Sequence, residues 1–333
     1  MRIREQVKSF EPYEGGGESP DIRLDRNESP FDLPSELKSE VLDKLRKVPF
    51  NRYPSTSARP LRKKLARFLG LNLDMVVVGN GSDELIPYFI KLFDGDRIVV
   101  VSPTFDMYRF YGALEGLEVV EVPLKEDFQL PLSELKRQVQ DARALILCSP
   151  NNPTGNCYRR KEIVELLETE TPLILDEAYH EFAGRSQQDL LEDFDNLVLL
   201  RTFSKAFSLA GARVGYALAS DDIIDYLLRI KPPYNLSTLA IKTAETVLEQ
   251  PQIMEERVQY IVEERNRMIS ELKEYCYPSQ ANFVLMNLDL HQYLKKRGIL
   301  VREFSDPLAD KIRVTVGERS ANDKLIEAIK DAV

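Results

Sequence analysis

The chain has 333 residues, 43% of them apolar and 30% charged, with a net charge of −9. That length exceeds one minimal core and fits two domains or one large α/β unit. The negative charge repels nucleic acid and anionic membrane, so neither is expected as a partner. Cys148, Cys157 and Cys276 with His180 and His291 offer no CxxC pair, which excludes a disulfide framework and a structural zinc set.

The opening MRIREQVKSFEPYE lacks an apolar core of signal-peptide length, so a cytoplasmic protein is expected. EGGGESPD reads as a hinge-like stretch and IRLDRN as an alternating arm. Two amphipathic helices are predicted next, PSELKSEVLDKLRKV with Leu37, Val41 and Leu45 on one face, and RPLRKKLARFLG with Leu61, Leu65 and Phe68. Their basic runs, and that of YRRKE, read as solvated helix faces.

From MVVVGNG to VGYALAS, short runs of Val, Ile and Leu alternate with helical patterns. Strands that read as near-continuous aliphatics are buried on both faces, which predicts a mainly parallel sheet flanked by helices. Beyond Ala219 the pattern changes. A helix over DDIIDYLLRIKPP precedes a long one with Val258, Ile261, Val262, Met268 and Leu272 on one stripe. The strands NFVLMNL, GILVREF and KIRVTVG then alternate with helices, a smaller α+β unit completed by the arm. The division expected is 31–245 for the large domain and 1–30 with 246–333 for the small one.

In parallel sheets the polar residues at strand carboxyl ends line the ligand crevice. MVVV ends in GNGSDE, where Gly81, Ser82 and Asp83 begin a helix. Alone this is a capped helix; with an anion it is a phosphate site. The third glycine of a dinucleotide fingerprint is missing, which weakens a nicotinamide enzyme. ALILC ends in SPNNPTG, a rigid turn presenting Asn152. PLIL ends in Asp176, with Tyr179 three residues on; a buried strand-end carboxylate needs a cation or a donor. NLVLL ends in RTFSK, bringing Thr202, Ser204 and Lys205, with Arg213 eight residues later.

If these tails converge, the crevice holds an amine, an acid, a guanidinium, hydroxyls and free backbone N–H groups. Pyridoxal phosphate asks for all of them: a lysine for its aldehyde, an acid for its ring nitrogen, donors for its phenolic oxygen and an anion site for its phosphate.

The motifs LDRNESP, RYP, GNGSDELI, SPTFDMYR, SPNNPTG, LDEAYHEF, RTFSKAFSLAGARVGY, ANFV, GILVREF and IRVTVG span nearly the whole chain. In this order they resemble the aspartate-aminotransferase fold of pyridoxal-phosphate enzymes, fold type I, and within it the histidinol-phosphate aminotransferase branch. The resemblance implies that Lys205 bonds the cofactor and shuttles the proton, and that Asp176 keeps the pyridine nitrogen protonated. It implies that Tyr179 and Asn152 meet the phenolic oxygen and that Tyr108 stacks on the ring, since Phe105 stands where relatives often have tyrosine. Thr202, Ser204, Arg213 and the Gly81–Ser82–Asp83 backbone would hold the phosphate.

On the substrate side the resemblance implies Arg313 for an α-carboxylate and Arg302 for the phosphate of histidinol phosphate. Tyr13, Asn27 and Asn282 would lie nearby, and Tyr53 would reach across from a second subunit, making a homodimer with a shared site. The implied reaction converts L-histidinol phosphate and 2-oxoglutarate to imidazole-acetol phosphate and L-glutamate. An aromatic aminotransferase and a threonine-phosphate decarboxylase of the same fold are alternatives, and a non-catalytic binding protein is a further one.

Overall fold

In the computed structural model, which describes residues 2–8, 10–12 and 20–333, the aliphatic runs form two sheets. The strands are β1 (Ile22–Leu24), β2 (Val76–Gly79), β3 (Arg97–Ser102), β4 (Glu118–Pro123), β5 (Ala144–Cys148), β6 (Leu173–Asp176), β7 (Leu197–Thr202), β8 (Gly215–Leu218), β9 (Phe283–Met286), β10 (Ile299–Glu303) and β11 (Ile312–Thr315).

Seven strands make the larger sheet in the order β2-β8-β7-β6-β5-β3-β4. All neighbours pair in parallel except β8, which runs against both β7 and β2. The residues of β2, β5, β6 and β7 are buried along their whole length, which is why these runs lack polar alternation. Register sets the site: Cys148 stands beside Asp176, and Asp176 beside Leu200, so the carboxyl ends of β5, β6 and β7 lie level on one edge.

The smaller sheet has the order β1-β10-β11-β9. The arm does complete it, because Ile22, Arg23 and Leu24 pair in parallel with Ile299, Leu300 and Val301. The chain then leaves β1 toward the crevice.

Three local readings need amendment. The second amphipathic helix, Arg59–Leu69, buries Leu61 and Leu65 but leaves Phe68 at the rim. Arg62 from its basic run is buried instead, donating from Nε to the Val76 carbonyl over 2.6 Å and from Nη2 to that of Leu73 over 3.1 Å. The long helix, Pro251–Glu271, buries Ile261 and Met268, while Val258 and Val262 are half-buried. Glu264 and Arg265 share that buried face; Arg265 Nη1 donates to the Ala281 carbonyl over 3.0 Å. A helix at Thr238–Val247 has no counterpart in the sequence reading. Its buried face uses small residues, Ala240 and Ala244, beside Ile241 and Val247, so its apolar stripe is faint.

Among the described residues, no helix is long and apolar enough to cross a membrane.

Candidate active site

The strand tails do meet. Asp176 ends β6 in the interior, where its Oδ2 accepts a hydrogen bond from the Tyr108 hydroxyl over 2.7 Å and its Oδ1 accepts one from the Ala178 N–H over 2.9 Å. Burial pushes its carboxyl up to about 6, against those two donors, which favour the anion.

Lys205 sits half-buried in the turn after β7. That turn closes because the buried Phe203 accepts from the Leu209 N–H and donates to the Val214 carbonyl. Lys205 Nζ lies 5.8 Å from the Tyr179 ring centroid and donates to the Arg26 carbonyl over 3.2 Å. Burial first, and then the charges of Arg313 and Arg213, lower its amine to about 8.

The turn after β2 packs against Arg213 and Gly215. Gly81, at φ 82°, caps the helix Ser82–Leu92. A Cβ there would fall 2.6 Å from Arg213 Nη2, and one on Gly215 would fall 2.1 Å from the Ser82 nitrogen. The positive φ at Gly81 and the backbone contact at Gly215 both favour glycine. Arg213 Nη2 donates to Asp83 Oδ2 over 3.1 Å, and its Nη1 lies 3.4 Å from Ser204 Oγ. Thr202 Oγ1 accepts from the Ser204 N–H over 3.1 Å.

The smaller sheet supplies the facing wall. Arg302 on β10 and Arg313 on β11 are directly paired in register, so both project from one face. Arg313 is buried; its Nη1 donates to Asn152 Oδ1 over 2.5 Å and its Nη2 to the Asp25 carbonyl over 2.6 Å. Arg302 lines a cavity of about 680 Å³ together with Thr104, Phe105, Arg109, Pro153 and Phe304.

Asn27, at φ 52° and buried, ties the segment after β1 to both bodies. Its Nδ2 donates to the Tyr179 hydroxyl over 3.1 Å, its N–H donates to Thr315 Oγ1 over 2.9 Å, and its carbonyl accepts from Asn282 Nδ2 over 3.0 Å. Burial raises the Tyr179 hydroxyl well above the usual phenol range, so it stays protonated.

Tyr108, Phe105 and Tyr53 stand as follows in the single chain. Tyr108 is fully buried and its hydroxyl is committed to Asp176. Phe105, set edge-on to Tyr108 with ring centroids 5.5 Å apart, is half-buried and faces the cavity lined by Arg302. Tyr53 does not enter this chain's crevice; it is 83% exposed and stacks on Tyr234 at 4.8 Å. Tyr13 lies outside the described residues.

Residues 19–329 match the family model described as aminotransferase class I and II. The chain belongs to this aminotransferase family. Its architecture is that of the fold type I aminotransferases, as the sequence led one to expect. Among similar family members is a histidinol-phosphate aminotransferase of Thermococcus gammatolerans, 49% identical over 99% of this chain and 97% of that one. The enzyme of the same name from Pyrococcus furiosus has the same identity and coverage. The crystal structure of histidinol-phosphate aminotransferase from Sinorhizobium meliloti, in complex with pyridoxal-5'-phosphate, superposes with a TM-score of 0.89 at 25% identity, covering 100% of this aminotransferase-family chain and 98% of that one.

Proposed function

We propose that the chain is a pyridoxal-phosphate-dependent aminotransferase that passes the amino group of L-histidinol phosphate to 2-oxoglutarate, acting as a cytoplasmic homodimer. The observation that carries the substrate reading is the register of Arg302 with Arg313. Like charges directly opposite on one sheet face repel, and an anion between two guanidinium forks turns that cost into binding. A phosphorylated amino donor and a dicarboxylate acceptor each bring such an anion. The 49% identity with two histidinol-phosphate aminotransferases supports the same choice.

The residues fit pyridoxal phosphate on their own chemistry. A glycine-lined cradle with Arg213, Ser204 and Thr202 suits a phosphate. A buried carboxylate already given two donors suits a protonated ring nitrogen. Phe105, and not Tyr108, is the ring we assign to stacking. When bound, the cofactor supplies an aldehyde that captures amino groups and a ring that spreads the electron pair left at the substrate α-carbon.

The chain's own groups do the rest. Lys205 Nζ, with its affinity for protons reduced by burial and by neighbouring cations, would take the proton from the substrate α-carbon. Asp176 holds its negative charge against the cofactor's far nitrogen, steadied by Tyr108. Tyr179 donates its hydroxyl, Arg313 and Arg302 orient the anionic end of substrate, and Asn152, Asn27 and Asn282 frame the space between. On anion binding, Arg213 exchanges its exposed pairing with Asp83 for the phosphate; that pairing is weak, because both partners are nearly half exposed.

The cofactor body is taken as residues 31–245 and the smaller body as 1–30 with 246–333. For the dimer, the support is an exposed apolar group unusual for a free surface: Phe50 and Tyr53 at 80% and 83%, with Tyr234 stacked on Tyr53. Burying it against a second copy brings Tyr53 toward the partner's crevice.

The experiment is a comparison of kcat/KM for L-histidinol phosphate and L-phenylalanine with 2-oxoglutarate as acceptor. A larger value for histidinol phosphate is expected, and a larger value for phenylalanine contradicts the substrate assignment.

A further inference from the structure

Two charged side chains lie just behind the crevice without lining it. Glu177 follows Asp176, Arg201 precedes Thr202, and each is 2% exposed. Arg201 donates to Glu177 Oε2 from Nε over 3.0 Å and from Nη2 over 2.9 Å. Its Nη2 also donates to Ser186 Oγ over 2.6 Å and its Nη1 to Gln188 Oε1 over 3.1 Å. Glu177 in turn accepts from the Ser186 hydroxyl over 2.8 Å and from the Gln187 N–H over 2.7 Å. Tyr216, Arg201's register partner on β8, completes the network.

Stability alone is a poor reason to keep such a pair. Desolvating two ions offsets their attraction, and replacing a buried pair with apolar residues of similar volume is often neutral or favourable. What a planar fork on one carboxylate does supply is fixed distance and angle. Here it clamps the end of β6 to the end of β7, and through Tyr216 reaches β8. Gly215 of β8 lies against Ser82 in the phosphate cradle. The two ends of the cofactor site, Asp176 on one side and Thr202 with the Gly81–Asp83 turn on the other, thus hang from one buried network.

We propose that Arg201 and Glu177 are positioning residues that hold Asp176 at a set spacing from Thr202 and the phosphate turn. This rests on reading the crevice as a pyridoxal-phosphate site. The pair touches neither substrate nor reacting atoms; it acts on how tightly and at what tilt the cofactor is held.

The test uses full-length protein stripped of cofactor, in three forms: wild type, R201K, and the volume-matched double variant E177M/R201M, which leaves neither ion unpaired. Two readouts are needed, the Kd for pyridoxal phosphate and the visible circular dichroism of the bound cofactor, which reports ring orientation. We expect R201K and the double variant each to bind pyridoxal phosphate about tenfold more weakly or worse, equal to about 1.4 kcal/mol. Their visible circular dichroism should change, while far-UV spectra and oligomeric state match wild type. A folded double variant with wild-type affinity and visible spectrum overturns the proposal, because the pair is then structural only. Should the double variant not accumulate, R201K decides alone, and unchanged affinity and spectrum there overturn it. Wild type that takes up no pyridoxal phosphate contradicts the crevice reading itself, and the positioning role falls with it.

Discussion

Tyr108 holds Asp176 from behind: its hydroxyl donates to Oδ2 over 2.7 Å, and the tyrosine is wholly inaccessible to solvent. The relationship supports the proposal that the tyrosine serves the acid and that Phe105 stacks on the cofactor. A Y108F variant keeps the packing and removes only the donor. A hydrogen bond to a charged group is worth about 1.5–3 kcal/mol, so affinity for pyridoxal phosphate should drop about 10- to 100-fold in Y108F. F105A should instead perturb the cofactor's visible spectrum and leave the Asp176 carboxyl untouched. Equal spectra for F105A and wild type, measured by absorbance titration, would reverse the two assignments.

Asp176 also couples site and stability. Its folded carboxyl is raised from the usual 3.8 to about 6, so the folded state binds the proton more tightly than the unfolded chain. Stability of cofactor-free protein therefore falls as pH rises from 4 through about 6, and the cost is fully present above it. D176N removes the charge. Near pH 8 the cofactor-free variant should be more stable than wild type by about 1–3 kcal/mol while losing cofactor affinity and turnover. Urea unfolding of both stripped proteins at two pH values checks this; a D176N protein less stable than wild type at pH 8 would be inconsistent with it.

Lys205 carries the opposite sign. Its amine is lowered from 10.5 to about 8, so it is about half neutral at pH 8, where an ordinary lysine is almost wholly charged. Only the neutral amine attacks a carbonyl. The rate at which stripped protein captures pyridoxal phosphate should rise with pH and level off above a midpoint near 8. A midpoint near 10.5 would mean that neither burial nor Arg313 perturbs the amine.

The two facing arginines should separate by substrate. R302M removes one fork from the anion site while leaving Arg313 with Asn152 and the Asp25 carbonyl. Loss of a charge-assisted pair should raise KM for histidinol phosphate about 10- to 100-fold with a smaller effect on glutamate. R313K, which breaks bonds to both walls of the crevice, should impair both half-reactions. Equal losses for both substrates in R302M would argue against a phosphate role.

If Tyr53 completes the partner's site, two inactive chains should rescue each other. Mixing K205A with Y53A under conditions that exchange subunits should restore about a quarter of wild-type activity, since half the dimers then hold one intact site of two. No rescue, with exchange verified by mass spectrometry, would place Tyr53 outside the site.

Much of this site is legible in the sequence because parallel strands end on one edge. Asp176 is the first polar residue after its aliphatic run, Thr202 the second after its own, and Asn152 lies in the turn that follows Cys148; Lys205 follows in the turn after Thr202, so topology alone brings them to one edge. Tyr108 was harder, since which face its helix, Met107–Glu115, turns inward depends on packing against β3 and β4 rather than on any local pattern. Arg62 and Arg201 show a different limit. Each sits in a stretch that reads as ordinary charge or strand tail, and only tertiary contact supplies the carbonyls or the Glu177 carboxylate that permit burial. Tyr53 is exposed in one chain, so a single chain gives it no partner in the crevice, and the role proposed for it depends on a second copy.

The most direct test is borohydride reduction of the protein as isolated with its cofactor, followed by peptide mapping. Reduction locks the cofactor carbon to whichever nitrogen holds it. A phosphopyridoxyl group on the peptide containing Lys205, and on no other, is the expected result. A label on a different lysine, or none on protein that binds the cofactor, would contradict the assignment of Lys205 and with it the pairing of that amine with Asp176.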